Sequence, residues 1–158
     1  MNADAQEPET NWLTAEERDA WLSLTSVIMR LQPALDARLK RDAGLSHFEY
    51  QIMAALSESP EHTLRMSELA VLAEGSLSRL SYAVGRLEKE QWVHRMPDPA
   101  DGRYTLAILT DTGWDKVVDT APGHVAEVRR LVVDPLNKTQ LRQMTAINTR
   151  ILAAIDPD

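Results

Sequence analysis

The sequence contains no cysteine, which excludes disulfides, thiolate metal sites, cysteine nucleophiles and cysteine redox switches. No apolar run approaches the roughly 18–20 residues needed to cross a bilayer. The N-terminal segment MNADAQEPETNW is acidic and polar rather than basic and then apolar, so no secretion signal is predicted. These absences favour a cytoplasmic protein without a membrane partner.

Motifs of enzymes and metal sites are missing as well. The segment GSLSRL lacks the Gly-Lys-Ser order of a phosphate-binding loop, and there is no HExxH. The four histidines, at positions 47, 62, 94 and 124, share no metal-ligand spacing. Nothing marks a serine nucleophile elbow. We therefore predict no catalytic residue, no metal and no cofactor, and a protein that is not an enzyme.

The charge of the chain is uneven. A net charge of −7 argues against a protein that merely coats nucleic acid or membrane. Residues 76–105, however, hold five Lys or Arg against four Asp or Glu, a local charge of +1, so the remainder carries −8. A basic region inside an acidic chain fits focused anion binding. The length of 158 residues predicts one domain.

Long amphipathic helices are predicted at both ends of the chain. From Thr14 to Asp42 apolar residues recur every three or four positions, with Pro33 expected to bend the helix and Gly44 to end it. A capping box at Ser46 opens a second helix. Near the C-terminus, Thr110 and Asn137 are expected to cap two more helices, the first of them interrupted at residues 122–123 by Pro-Gly.

The middle of the chain predicts two short helices and a hairpin. Ser67 is expected to cap the first helix and Ser76 the second, across a break at residues 74–75. Strand-like segments at 92–96 and 104–109 follow, joined by PDPADGR. The Asp101-Gly102 pair in that linker predicts a tight turn with positive φ. This order is typical of a helix-turn-helix followed by a β-wing.

The second short helix has an outward face suited to DNA. If Leu80, Val84 and Leu87 point inward, Ser78, Arg79, Tyr82 and Arg86 lie outside. A helix of this kind fits the major groove, where Arg can donate twice to guanine. Arg103 near the hairpin tip could enter a narrow minor groove, oriented by Asp101. Ordinary surface residues and a surface turn with an incidental ion pair remain the alternative.

The segment MSELAVLAEGSLSRLSYAVGRLEKEQWVHRMPDPADGRYTLAILTDTG resembles the winged helix-turn-helix core of MarR-type transcriptional regulators. The resemblance implies a mainly α fold with a small β-hairpin wing. It implies an acidic tail at 1–11 and one domain at 12–158, with dimerisation helices at 12–45 and 111–158 around a winged module at 46–110. The implied DNA-binding residues are Ser76, Ser78, Arg79, Tyr82, Arg86, Asp101 and Arg103.

The resemblance also implies a homodimer that represses a pseudo-palindromic double-stranded DNA operator. A small aromatic or anionic effector would bind between the dimer helices and the DNA module, where Trp21, Met29, His47 and Tyr50 are weak candidates for its lining. Leu77 departs from the family pattern, because a polar or basic residue is frequent there. Gly102 replaces a more usual Arg.

A winged-helix module that docks proteins without specific DNA binding is the alternative function. A steep salt dependence would favour DNA over an apolar protein interface. The sequence does not name the operator, the regulated genes or the effector, and it does not separate repression from activation.

Overall fold

The computed structural model describes residues 10–157, so the predicted acidic tail at 1–11 lies outside the described residues except for its last two. The helices are α1 (Ala15–Ala43), α2 (His47–Glu58), α3 (Met66–Leu72), α4 (Leu77–Lys89), α5 (Asp111–Val128) and α6 (Lys138–Ile155). The strands are β1 (Thr63–Arg65), β2 (Val93–Asp98) and β3 (Asp101–Leu109). The predicted class, mainly α with a small β-wing, is confirmed. No helix in the described part of the chain is long and apolar enough to span a membrane.

Side-chain caps start most helices where the sequence predicts them. The side chains of Ser46, Ser76, Thr110 and Asn137 each accept a hydrogen bond from the backbone N–H three residues ahead. The predicted cap at Ser67 is wrong. Helix α3 begins at Met66, directly after β1, and the backbone N–H of the strand's last residue donates to the carboxylate of the helix's third residue, 3.1 Å away.

Proline does not interrupt α5, and the predicted break at Pro122 is wrong. The helix continues to Val128 with this proline inside it. Proline removes the bond to the carbonyl four residues back. That carbonyl belongs to Val118, a residue that is 51% exposed, so the proline lies where α5 faces solvent. The helix then widens into a π turn at Arg129–Val133. Pro33 likewise lies inside α1, and the bend predicted there stays a prediction.

The three strands form an antiparallel sheet in the order β1-β3-β2. The hairpin turn consists of Pro99 and Ala100, because Asp98 pairs with Asp101 in the register. The predicted Asp101-Gly102 turn is therefore wrong, and Gly102 lies in β3 without a positive φ. Asp before Pro is itself a strong turn signal, and the Asp98 carboxylate accepts a hydrogen bond from the Ala100 N–H at 2.9 Å.

The hydrophobic core lies mainly within the winged module. Fully buried side chains come from α2, α3, α4 and the sheet, among them Ile52, Leu56, Leu69, Leu80 and Val93. Helix α6 buries no residue, and α1 buries only Leu35 and Leu39. Helices α1 and α6 therefore leave many of their apolar side chains exposed to solvent in the single chain.

Candidate nucleic-acid interface

The turn between α3 and α4 fixes the start of the exposed helix. Its backbone reaches positive φ at Glu74. At Gly75 an added Cβ would lie 2.7 Å from the ring of Phe48, so this position has no room for a side chain. Ser76 Oγ then accepts from the Arg79 N–H at 3.2 Å, which defines the first turn of α4. The break and the cap predicted here are confirmed.

Helix α4 has one buried face and one open face. Leu80, Val84 and Leu87 are buried, as predicted. Ser78 is exposed on the opposite side, together with Tyr82, which is 72% exposed. The predicted outward face therefore exists, and Ser78 and Tyr82 lie at its centre.

Two arginines lie along the flank of this face nearest α2. The Arg79 guanidinium stacks over the Phe48 ring, 4.0 Å from its centroid. Arg86 Nε lies 2.9 Å from Oε1 of the buried Glu49. The other carboxylate oxygen of Glu49 accepts the Ser46 N–H at 2.8 Å. Sequence analysis assigned Arg79 and Arg86 to DNA contact alone. Their contacts in the structure also hold α4 against α2.

The wing carries its arginine in a fixed orientation. Arg103 Nη2 lies 2.6 Å from Asp101 Oδ2, and Arg103 Nε lies 2.9 Å from Oδ1. The predicted pairing is present. Hydrogen bonds from the Arg103 side chain lower the pKa of Asp101, because they favour the ionised carboxylate. The Arg103 side chain remains 83% exposed, at the end of a two-stranded projection.

Besides Arg103, the wing is held by Arg65, which sequence analysis missed and which anchors the turn of the hairpin. Arg65 Nε and Nη2 donate to Asp98 Oδ2 at 3.0 and 2.8 Å, and the same guanidinium lies 4.2 Å from the centroid of the Tyr104 ring. Hydrogen bonds from the Ala100 N–H and then from Arg65 lower the pKa of Asp98. Arg65 is 33 residues from Asp98 in the chain, and no local pattern links the two.

The base of the wing is joined to α4 by a third arginine. Arg95 Nη2 donates to Glu88 Oε2 at 2.6 Å, and Arg95 Nη1 donates to Ser81 Oγ at 3.0 Å. The Arg95 backbone N–H donates to Glu88 Oε1 at 3.0 Å. The hydrogen-bonded Arg95 side chain lowers the pKa of Glu88. The exposed helix and the exposed hairpin are therefore bonded through charged groups on one side.

An open cavity of about 620 Å³ lies between α1, α2 and α4. His47 and Phe48 line it on one side and Arg79 and Arg86 on another. His47 Nδ1 lies 2.7 Å from Gln32 Oε1, and burial followed by the nearby His124 lowers the pKa of His47. Of the four weak lining candidates only His47 lines this cavity.

The other three candidates lie elsewhere. Tyr50 lines a separate groove with His124, and Trp21 and Met29 are exposed on α1. No cluster of three or more potential metal ligands occurs among residues 10–157.

This arrangement matches known proteins over most of its length. A family model described as MarR family matches residues 45–105. The crystal structure of Sco3205, a MarR family transcriptional regulator from Streptomyces coelicolor in complex with DNA, is 43% identical, has a TM-score of 0.91 and covers 96% of this chain and 95% of that one.

Two further relatives are similar over much of the chain. AbsC, a MarR family transcriptional regulator from the same organism, is 35% identical with a TM-score of 0.87, over 92% of this chain and 98% of that one. The HTH-type transcriptional regulator MhqR of Bacillus subtilis (strain 168) is 27% identical over 68% of this chain and 72% of its own length.

Proposed function

The chain belongs to the MarR family of transcriptional regulators and is not an enzyme, and on this premise we propose that it is a homodimeric repressor of a pseudo-palindromic DNA operator. The observation that carries the proposal is an exposed α4 face beside an exposed, arginine-tipped hairpin, in a chain 43% identical to a regulator crystallised with DNA. A protein that acts on DNA in this way works where the operator is, so we place it in the cytoplasm.

Each proposed contact follows from where its side chain lies. Side chains near the N-terminus of a recognition helix meet base edges in the major groove. We assign this role to the first two turns of α4 and a phosphate contact to the end of the helix. The wing supplies the minor-groove contact, with Asp101 orienting its arginine. The proposed DNA-binding residues are Ser76, Ser78, Arg79, Tyr82, Arg86, Asp101 and Arg103.

The arginines of α4 reach DNA from different starting points. Arg79 must leave the Phe48 ring to reach a base, which costs about 0.5–1 kcal/mol for an exposed cation–π contact. Arg86 is 56% exposed while Nε stays on Glu49, so it can approach a phosphate without breaking that pair. The exposure of Arg86 supports a backbone contact, and the place of Arg79 in the first turn of α4 supports base reading.

The surface of the single chain supports a dimer. Large apolar side chains of α1 and α6 are exposed in the single chain, among them Trp21, Ile28, Met29, Ile147, Leu152 and Ile155. Obligate homodimers bury about 2,000–5,000 Å² in total, much of it apolar, and the exposed apolar side chains of these two helices are suited to such an interface. We therefore assign residues 12–45 and 111–158 to dimerisation and 46–110 to DNA.

Repression needs no surface beyond the one that binds DNA. A dimer seated across a promoter excludes the polymerase by occupancy. The test is transcription in vitro from a promoter carrying the bound site, with the dimer titrated in. Transcript should fall as the site fills, and a rise in transcript would contradict repression in favour of activation.

Release by a small aromatic or anionic effector is supported by the cavity between α1, α2 and α4. Its wall combines the Phe48 ring with Arg79. A ligand there would hold Arg79 away from DNA. The test is the affinity for DNA with and without benzoate at millimolar concentration. Weaker DNA binding, absent in a Phe48→Ala variant that still folds, is expected. Unchanged affinity would contradict an aromatic carboxylate as the effector.

The experiment for the main proposal selects bound sequences from random DNA with the full-length protein. The enriched duplex should show two inverted half-sites. Its affinity should fall steeply between 50 and 200 mM salt, by roughly 10³–10⁵ if six to ten phosphates are contacted. Arg103→Ala should weaken binding without lowering the melting temperature, because its side chain is exposed at the end of the wing.

The same experiment separates the alternative. Failure to enrich any sequence, or binding that responds little to salt, would contradict the proposal. That result would favour a winged-helix module that docks proteins.

A further inference from the structure

An apolar side chain stands at the entrance of the exposed helix. Leu77 is the first residue of α4, directly after the cap Ser76, and it is 57% exposed. Its neighbours along the open face are polar, and the helix's other leucines, Leu80 and Leu87, are buried. The core of the single chain therefore leaves most of Leu77 in water.

The position of Leu77 on α4 differs from that of the two arginines. At about 100° per residue, Leu77 and Ser81 fall on one flank, Ser78 at the centre, and Arg79 on the other flank. The contacts agree with this geometry. Ser81 Oγ accepts from Arg95 of the wing, whereas Arg79 stacks on Phe48 of α2. Leu77 thus lies on the flank that faces the wing, one turn before Ser81.

Base edges differ in what they offer to such a side chain. In the major groove thymine alone presents a methyl group, beside its O4 acceptor, whereas the other bases present only hydrogen-bond donors and acceptors. An apolar side chain placed over a donor or acceptor removes it from water without replacing the lost bond. A leucine in the first turn of a recognition helix therefore favours thymine.

We propose that Leu77 is a specificity-determining residue that contacts the C5-methyl group of one thymine in each operator half-site. This inference rests on the proposed function, because it requires α4 to enter the major groove. Ser78 and Arg79 read neighbouring bases through hydrogen bonds, and Leu77 adds a preference that no hydrogen bond supplies.

The experiment uses the duplex selected from random DNA and a set of duplexes in which each thymine is singly replaced by uracil. Uracil lacks only the methyl group. Uracil at one position in each half-site should weaken binding of the wild-type protein roughly fourfold. This factor corresponds to about 0.8 kcal/mol for one buried methyl group. Leu77→Ala should bind the thymine and uracil duplexes equally, and Leu77→Met should retain the preference for thymine.

Val71→Ala is the matched control, since it removes another exposed apolar side chain of the module, from α3. It should leave the ratio of thymine to uracil affinity unchanged. A wild-type protein indifferent to uracil at every position, or a Leu77→Ala variant with an unchanged uracil penalty, would overturn the inference while leaving DNA binding intact. Failure to select any sequence would overturn DNA binding itself and this inference with it.

Discussion

Truncation of one apolar side chain on α6 tests the proposed dimer. Ile147 is 55% exposed in the single chain. It belongs to the apolar stripe of α6, which consists of Leu141, Met144, Ile147, Ile151 and Ile155. If α6 packs against a second subunit, Ile147→Ala should weaken association while leaving the fold of each subunit unchanged. Arg142→Ala, on the opposite side of the same helix, is the matched control.

The magnitude follows from the area that association would cover. Ile147→Ala removes three carbon groups, worth about 0.8 kcal/mol each when fully buried. Because about 55% of the side chain is exposed before association, the interface accounts for roughly 1.3 kcal/mol per subunit. A symmetric dimer contains the change twice, which gives about 2.6 kcal/mol, or a roughly 80-fold higher dissociation constant.

The assay is sedimentation velocity over a range of protein concentrations. Where both proteins stay dimeric at the lowest concentration, the concentration dependence of the melting temperature makes the same comparison. Equal dissociation constants for Ile147→Ala and the wild type would refute a dimer built on the α6 stripe. A wild-type protein that is monomeric at all concentrations would refute the dimer altogether.

Three further perturbations test the remaining parts of the structure. Arg79→Ala should relax the preference at one base pair per half-site by about 1–3 kcal/mol in competition binding, and an equal loss on random DNA would make it a phosphate contact. Gly75→Ala should lower the free energy of unfolding in urea by about 1–3 kcal/mol because its Cβ meets an aromatic ring, whereas Gly102→Ala, with open space, should change it little. Burial lowers the pKa of both His47 and His124, so the unfolded chain binds protons at a higher pH than the folded chain does. The free energy of unfolding should therefore fall as pH drops below about 6.5. A urea midpoint that does not change between pH 7.5 and 5 would contradict this.

The features predicted well from the sequence are those set by a few neighbouring residues. The caps at Ser46, Thr110 and Asn137 need only a side-chain oxygen and an N–H three residues away. The buried face of α4 follows from its helical period. The outward face, with Ser78 and Tyr82, follows from the same period.

Competition between local signals explains the two errors in the wing and in α5. Asp98 before a proline and Asp101-Gly102 both signal turns, and the sheet register selects the first. Pro122 signals a helix end, but its cost is a single backbone bond on an exposed side of α5. Sequence spacing does not rank such signals, because their outcome depends on pairing and exposure.

Contacts between distant segments could not be predicted in the same way. Arg65 meets Asp98, and Arg86 meets Glu49, only because the folded module brings their elements together. Composition and period say nothing about these partners. The contact with Glu49 also gives Arg86 a second role, in holding α4 to α2, which the exposed face of α4 does not reveal.

The hydrogen bonds from Arg95 to Ser81 and Glu88 hold the hairpin in a fixed position relative to α4. On the proposed function, the distance between the major-groove contact of α4 and the minor-groove contact of the wing is then set within each subunit. In the proposed dimer, a change in the spacing of the operator halves would then have to be accommodated outside the winged module, by the long terminal helices. Tolerance for spacing and choice of bases are thereby controlled by separate parts of the molecule.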